Sequence, residues 1–469
     1  MKKLLITTLL STSVAFASET EDIKELKKQL ELQKELIQQL QQRLQQLEEK
    51  QEKSAKIEKE AERRISEIDK LSNPFSQAKF VPDISFIADF SYVNRNIRDE
   101  TYKALEIPAF VHSHPEDNEG LTDLNKDRGF NLNYGELYVA SPVDPYFDLV
   151  GIFHLSEDSF EIEEAYINTK TLPFGLKIGK FKSSFGRLNQ QHPHSWDFAD
   201  QPLVYNAIFG ADNLLEKGVQ LNWVAPTPFY LQIGTELLQG ENELSFGTKG
   251  FSVNTKKDGS GDNINVPDTQ KPNLYTLFAK TSFDITDNLT TLFGLSYAEG
   301  KTRIDHLEDA DNPHAFAGRT KIYGTDLTLR YNIDSYRYIS WQSEYIYRNM
   351  DGTRYGYNDN DNLVMPHLEK KQSGLYSQIV YRFNQRWRTG FRYDLLNKND
   401  VYINGINQNQ PDNLYKYAFM IDYSPTEFSK IRLQFNQDRS KFFEGSRKTI
   451  NEVILQFNMA IGAHGAHPF

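Results

Sequence analysis

Cysteine is absent from the 469-residue chain. That removes disulfides, thiolate nucleophiles and cysteine-based zinc sites, and it suits an exported protein that folds without oxidation. Long apolar runs are missing too: past the N-terminal segment nothing reaches the roughly 18 residues of a membrane-crossing helix, which excludes a helical membrane protein. Positive charge is not in excess, since the net charge is −11, and this argues against nucleic acid as a partner. Serine, histidine and aspartate all occur, but no serine sits in a nucleophile elbow and no base is spaced to serve a nucleophile. An enzyme is therefore not expected, and no catalytic residue or cofactor is assigned.

What is present is aromatic. Tyr and Phe number 25 and 31, and aromatics make up 13% of the chain, although the mean hydropathy is −0.60. A chain that is polar on average, rich in aromatics and free of long apolar runs fits a membrane β-barrel. Such strands alternate lipid-facing apolar residues with lumen-facing polar ones, between two aromatic girdles. Composition alone leaves a soluble β-protein open.

Residues 1–17 read as a signal peptide, with Lys2 and Lys3, an apolar core from Leu4 to Val14, and the small-x-small site Ala15-Phe16-Ala17. Residues 18–72 carry a heptad seam. Ile23, Leu30, Ile37, Leu44 and Ile65 fall on one position, and Leu26, Leu40, Leu47, Ala61 and Ile68 on the other. This predicts an α-helical coiled coil, about 75 Å long if continuous. It should self-associate, because one such helix cannot bury its stripe, and a trimer is compatible. Pro74 ends the helix and opens a linker at 73–82.

From residue 83 to 469 the period is two. Ile84, Phe86, Ala88, Phe90 and Tyr92 oppose Ser85, Asp89 and Ser91. Trp387, Thr389, Phe391, Tyr393 and Leu395 oppose Arg386, Arg388, Gly390, Arg392 and Asp394. Short connections, such as Ser141–Tyr146 and Phe383–Gln385, alternate with longer ones near 95–128, 183–217, 240–272, 301–320, 350–373, 397–414 and 438–447, with a briefer one at Ser156–Ser159 in the second long-side position. The fold class predicted is all-β, a transmembrane antiparallel barrel of about sixteen strands, wide enough for an aqueous channel rather than a packed core. The last strand ends on Phe469, an aromatic carboxy-terminus of the type that barrel-assembly machinery recognises.

The run Gly175-Leu176-Lys177-Ile178-Gly179-Lys180-Phe181, followed by Phe185-Gly186, resembles the strand motif of the phosphate-selective porin superfamily. Phe185–Asn189, His192-x-His194-x-Trp196-Asp197-Phe198, Asp200–Leu203, Trp223-x-x-Pro226-Thr227-Pro228 and the tail His464–Phe469 are similar to the plugless, legiobactin-receptor-like siderophore porins. The main patch covers about Gly175–Gly240. The resemblance implies a trimeric sixteen-stranded barrel in a Gram-negative outer membrane, with the coil in the periplasm.

By loop order and resemblance, Phe181–Gly218 holds the third long loop, which is expected to fold inward and narrow the channel. Arg187, His192, His194, Asp197 and Asp200 are its candidate constriction or substrate residues, with Asp212 also facing the lumen. Opposite them the inward positions carry Arg330, Arg348, Arg386, Arg388, Arg392, Lys416, Lys430 and Arg432, against Asp326, Glu344, Asp394 and Asp422. Opposed acidic and basic walls would set a transverse field. The pairs His192/His194, His112/His114 and His464/His467 could each bind a divalent metal, but none has a defined third ligand and no metal site is assigned. Passive diffusion of small hydrophilic solutes or ions is the first expectation. A TonB-independent channel for a siderophore or metal chelate is the alternative, since a coil stands where a plug would be. A mainly structural role, with the coil tethering envelope layers, is the third.

Overall fold

The structure is a computed structural model that describes residues 82–111, 124–157, 159–242, 244–309 and 312–462. The signal peptide, the coiled coil, nearly all of the linker, the His112/His114 and His464/His467 pairs and Phe469 lie outside the described residues.

One antiparallel sheet holds eighteen strands, of which Leu363–Val364 and Ile406–Asn407 are two-residue additions within loops; the other sixteen close on themselves. They are β1 (Asp83–Arg95), β2 (Gly129–Pro142), β3 (Phe147–Leu155), β4 (Phe160–Thr169), β5 (Gly175–Lys182), β6 (Leu215–Val224), β7 (Tyr230–Leu238) and β8 (Leu274–Thr286). Then follow β9 (Leu289–His306), β10 (His314–Asn332), β11 (Tyr338–Tyr357), β12 (His367–Arg382), β13 (Trp387–Ile403), β14 (Leu414–Thr426), β15 (Ser429–Asp438) and β16 (Ile450–Gly462). Each strand pairs with its sequence neighbours, and β16 pairs with β1 from Ser85↔Gly462 to Arg95↔Glu452. Closure satisfies every ladder without leaving an edge, as a barrel in lipid requires.

The alternation read from the sequence is the alternation of exposure. In β1, Ile84, Phe90 and Tyr92 are exposed while Ser85, Asp89 and Ser91 are buried. In β13, Trp387 and Phe391 face outward, whereas Arg392 and Asp394 are buried inside. The outer surface is thus apolar and aromatic, with Phe419, Leu433, Phe435 and Val453 continuing the belt.

The long connections of the second half are shorter than expected. Those foreseen at 301–320, 350–373 and 397–414 span 307–313, 358–366 and 404–413. The strands run on instead: β9, β10 and β11 have 18, 19 and 20 residues, against about 10 for a membrane span. Past the apolar belt the outward positions turn polar, so apolar alternation stops while the backbone ladder continues. Cross-strand charge then supports it, as where Glu299 faces Lys321 across the β9–β10 ladder and takes Arg319 Nη1 at 2.6 Å.

Candidate functional site in the third long loop

The 183–214 connection folds into the barrel. Its centre is a seven-residue helix, α1 (Leu203–Phe209), and all seven residues are buried. The segment reads Leu-Val-Tyr-Asn-Ala-Ile-Phe, apolar on nearly every side, so it is stable only when surrounded. Ile322, Ile346, Tyr376, Leu396 and Leu414 from the inner wall surround it, with Ile107, Phe110 and Phe442 from two other loops. The expectation of an aqueous lumen without a packed core fails at this level. A barrel this wide can admit a helix, and its inward positions here are apolar enough to hold one.

Wall carboxylates hold the rest of the loop by its backbone. Glu344 accepts hydrogen bonds from Arg187 N and Leu188 N, each at 2.9 Å, and from the hydroxyls of Tyr205 and Tyr376, at 2.7 and 2.5 Å. Glu236 takes Ser184 N at 2.8 Å and the Ser183 hydroxyl. Asp394 takes Leu203 N at 3.0 Å, which satisfies the first N–H of α1. The chain passes Glu344 at Gly186, whose φ is +61°; a Cβ there would stand 2.2 Å from Tyr205 Oη and 2.6 Å from a Glu344 oxygen. Gly186→Ala is expected to lose on the order of 1–3 kcal/mol in chemical unfolding in detergent. Gly405→Ala, also at positive φ (+78°) but with nothing near its Cβ, should lose less, and the difference measures the crowding.

Of the expected site residues, four come together against β13–β15. Asp197 pairs with Arg388 Nη1 at 2.9 Å, and Arg388 also pairs with Asp422. Asp200 pairs with Arg392 Nη2 at 3.0 Å and with Lys416, and accepts from Gln434 Nε2 at 2.6 Å. Burial opposes the Asp200 charge, but Arg392 and Lys416 outweigh it and hold the carboxyl well below the usual carboxylate range. The acidic and basic walls therefore touch. The field across open water expected from opposed walls is replaced by contact pairs, because the loop reaches the wall that it was expected to face.

The remaining residues lie apart. Arg187 turns to β11, its Nε 3.2 Å from Gln342 Oε1. Arg330 stands over the Tyr338 ring at 4.1 Å, beside a short turn. Arg386 is not a lumen residue: β13 begins at Trp387, which leaves Arg386 exposed in the preceding turn. His192 meets Glu136 of β2 and Glu163 and Glu164 of β4, and His194 meets Glu136. Burial opposes protonation of His192, yet Glu136 and Glu163 hold its pKa well above the ordinary value.

Sequence reasoning missed Glu136, Glu163, Glu164 and Glu236. One signal was there: Glu163-Glu164 breaks the period of two, which marks a bulge. Above the loop, at the long-connection end, a cavity of about 1250 Å³ is lined by Arg303, Arg348, Arg354 and Lys370 together with Phe110 and Phe316.

No protein-family model matches the chain. Among solved structures, it is similar to a loop L8 deletion mutant of the outer membrane protein OmpT of Vibrio cholerae, with a TM-score of 0.46 and 10% identity over 82% of this chain and 100% of that one. It is similar to the outer membrane channel DcaP of Acinetobacter baumannii, with a TM-score of 0.43 and 12% identity over 82% and 99%. In sequence it is 57% identical over 399 residues to an uncharacterized protein of Aquifex aeolicus, covering 85% of this chain and 82% of that one. The chain belongs to one family with that Aquifex aeolicus protein.

Proposed function

We propose that the protein is an outer-membrane porin through which small hydrophilic solutes or ions diffuse passively, past a constriction made by the third long loop. The observation that carries this reading is the closed sixteen-strand sheet, apolar outside, with a charged inner wall on which that loop is seated. The wall supplies hydration and charge to a permeant solute, and no chemistry is required. The long connections would face outward from the cell, and the short turns and the coiled coil would lie in the periplasm. The coil's heptad seam favours self-association, with which a homotrimer is compatible.

A second reading is a TonB-independent channel for a siderophore or metal chelate. The wide vestibule favours it, since basic Arg303, Arg354 and Lys370 share one cavity with apolar Phe110 and Phe316. That lining suits an anionic, partly apolar solute.

Planar-bilayer recording of the purified protein tests both. Ohmic current that rises with salt and is unaffected by ferric chelates is expected for the porin. Saturable block by a ferric chelate, relieved in Arg354→Ala and Lys370→Ala, selects the second reading. A bilayer that stays silent, together with liposomes closed to sugars, overturns both.

A further inference from the structure

On the side of the loop away from the arginines, three donor atoms converge, one each from Glu136, Glu163 and His192. His192 Nδ1 lies 3.2 Å from Glu136 Oε2 and 3.4 Å from Glu163 Oε1, and His194 Nδ1 lies 3.2 Å from the same Glu136 oxygen. One ligand atom each from Glu136, Glu163 and His192 lies within 4.8 Å of the others. Two donors about 2.1 Å from one ion, at the tetrahedral angle, stand about 3.4 Å apart. Glu136 Oε2 and His192 Nδ1 are at that spacing and buried, and the contact between them is not an aligned hydrogen bond. Both residues are more than nine-tenths buried, Glu136 being 3% and His192 7% exposed. Aligned hydrogen bonds would be the cheap solution here, and their absence points to lone pairs aimed at a common point.

We propose that Glu136, Glu163 and His192 bind one divalent transition-metal ion of the zinc class, which fastens the third loop to β2 and β4. The outer contacts have the form such a site needs. His192 Nε2 is 2.7 Å from Glu164 Oε1, an arrangement that places the proton on Nε2 and leaves the Nδ1 lone pair for the ion. Two adjacent glutamates can serve as ligand and support because Glu163 is the extra residue of a bulge: Ile152 pairs with Glu164 and Phe153 with Ile162. Without it, consecutive residues would face opposite sides of the wall.

Charge points the same way. Glu136, Glu163 and Glu164 face Lys182 Nζ, 3.0 Å from Glu163 Oε1, and Glu164 also faces Lys177. With His192 neutral this leaves a buried excess of negative charge, which a proton on His192 cancels in the metal-free cluster and a divalent cation would cancel in its place. A cavity of about 100 Å³ bordered by Glu136, Glu163 and Pro193 supplies an access route. It shares Ala211 and Asp212 with the large vestibule. The site does not depend on whether the barrel conducts.

The test uses the full-length protein in detergent, stripped with a chelator and titrated with Zn²⁺ by calorimetry, with Co²⁺ as a visible-absorption probe of geometry. The expected result is one tight equivalent of Zn²⁺ and the absorption bands of tetrahedral Co²⁺. Glu136→Gln and His192→Gln should each abolish both, and Glu164→Gln should weaken binding about 10–100-fold. His306→Ala/His314→Ala, which removes another close histidine pair at 3.5 Å, and His464→Ala/His467→Ala should leave the equivalent intact. Circular dichroism matching the wild type shows that each variant is folded. Wild-type protein that takes up no Zn²⁺ overturns the proposal, leaving a cluster balanced by protons. So does an equivalent that survives Glu136→Gln and His192→Gln but disappears with a surface pair.

Discussion

Asp200→Ala is expected to lower the unfolding free energy of the barrel in detergent by about 3–5 kcal/mol, the cost of removing one partner from a buried ion pair. The carboxylate serves four donors: Arg392, Lys416, Gln434 and Asn436. Alanine leaves the Lys416 ammonium and the Arg392 guanidinium side by side, with Asp394, 2.8 Å from Arg392 Nε, and Asp438 near Lys416 as the remaining acids. Adding Lys416→Met to Asp200→Ala should restore part of the loss, because the second substitution removes the stranded charge. The pH dependence follows from the direction of the shift. The folded-state pKa of Asp200 is depressed, so its contribution is complete above the unfolded value of about 3.9 and is lost as pH falls below it. The gap between wild type and Asp200→Ala should be flat from neutral pH to about pH 5 and should narrow below about pH 4. A gap under about 1 kcal/mol at neutral pH, the scale of a surface pair, would show that this contact does not hold the loop.

Excising the loop should have the largest effect on conduction. Lys182 and Leu215 are ladder partners at the ends of β5 and β6, so a short Gly-Ser turn can replace residues 187–213 without reopening the barrel. Single-channel conductance is expected to rise severalfold, because α1 and its packed surroundings leave the lumen. Selectivity should shift toward anions as well. The excision removes three acids, Asp197, Asp200 and Asp212, against one base, Arg187, while Arg388, Arg392 and Lys416 stay on the wall with Asp394 and Asp422, and a lumen made less negative favours anions. Reversal potentials in a salt gradient measure this. A conductance equal to that of the intact protein would mean that some other part of the barrel limits flow.

How far the loop could be read from the sequence differs residue by residue. Asp197 and Asp200 were expected to face Arg388 and Arg392, and they do, but in contact rather than across water. Arg386 was placed inside because it shares parity with Arg388. Parity says which face a residue takes only while it is in a strand, and β13 starts one residue later. Glu344 was legible as an inward acid, yet nothing local shows that it would accept two backbone N–H groups from the 187–188 turn. The helix α1 was not foreseen either. Seven residues are too few to display a helical period, and their uniformly apolar character is explained only by what surrounds them.

By itself the sequence determined the barrel: its strand number, its inward and outward faces, and which connections are long. Those features follow from a local rule, since side chains alternate along a strand and a lipid-facing wall must be apolar on one side and closed. Only the tertiary structure decided what the third loop does inside. Asp200 meets Gln434 across 234 positions of chain, and Glu136, Glu163 and His192 meet because three separate segments are brought to one point. Contacts of that kind depend on ring closure, which leaves no periodic trace in the chain, and on a bulge in β4, of which the sequence shows only the broken period at Glu163-Glu164.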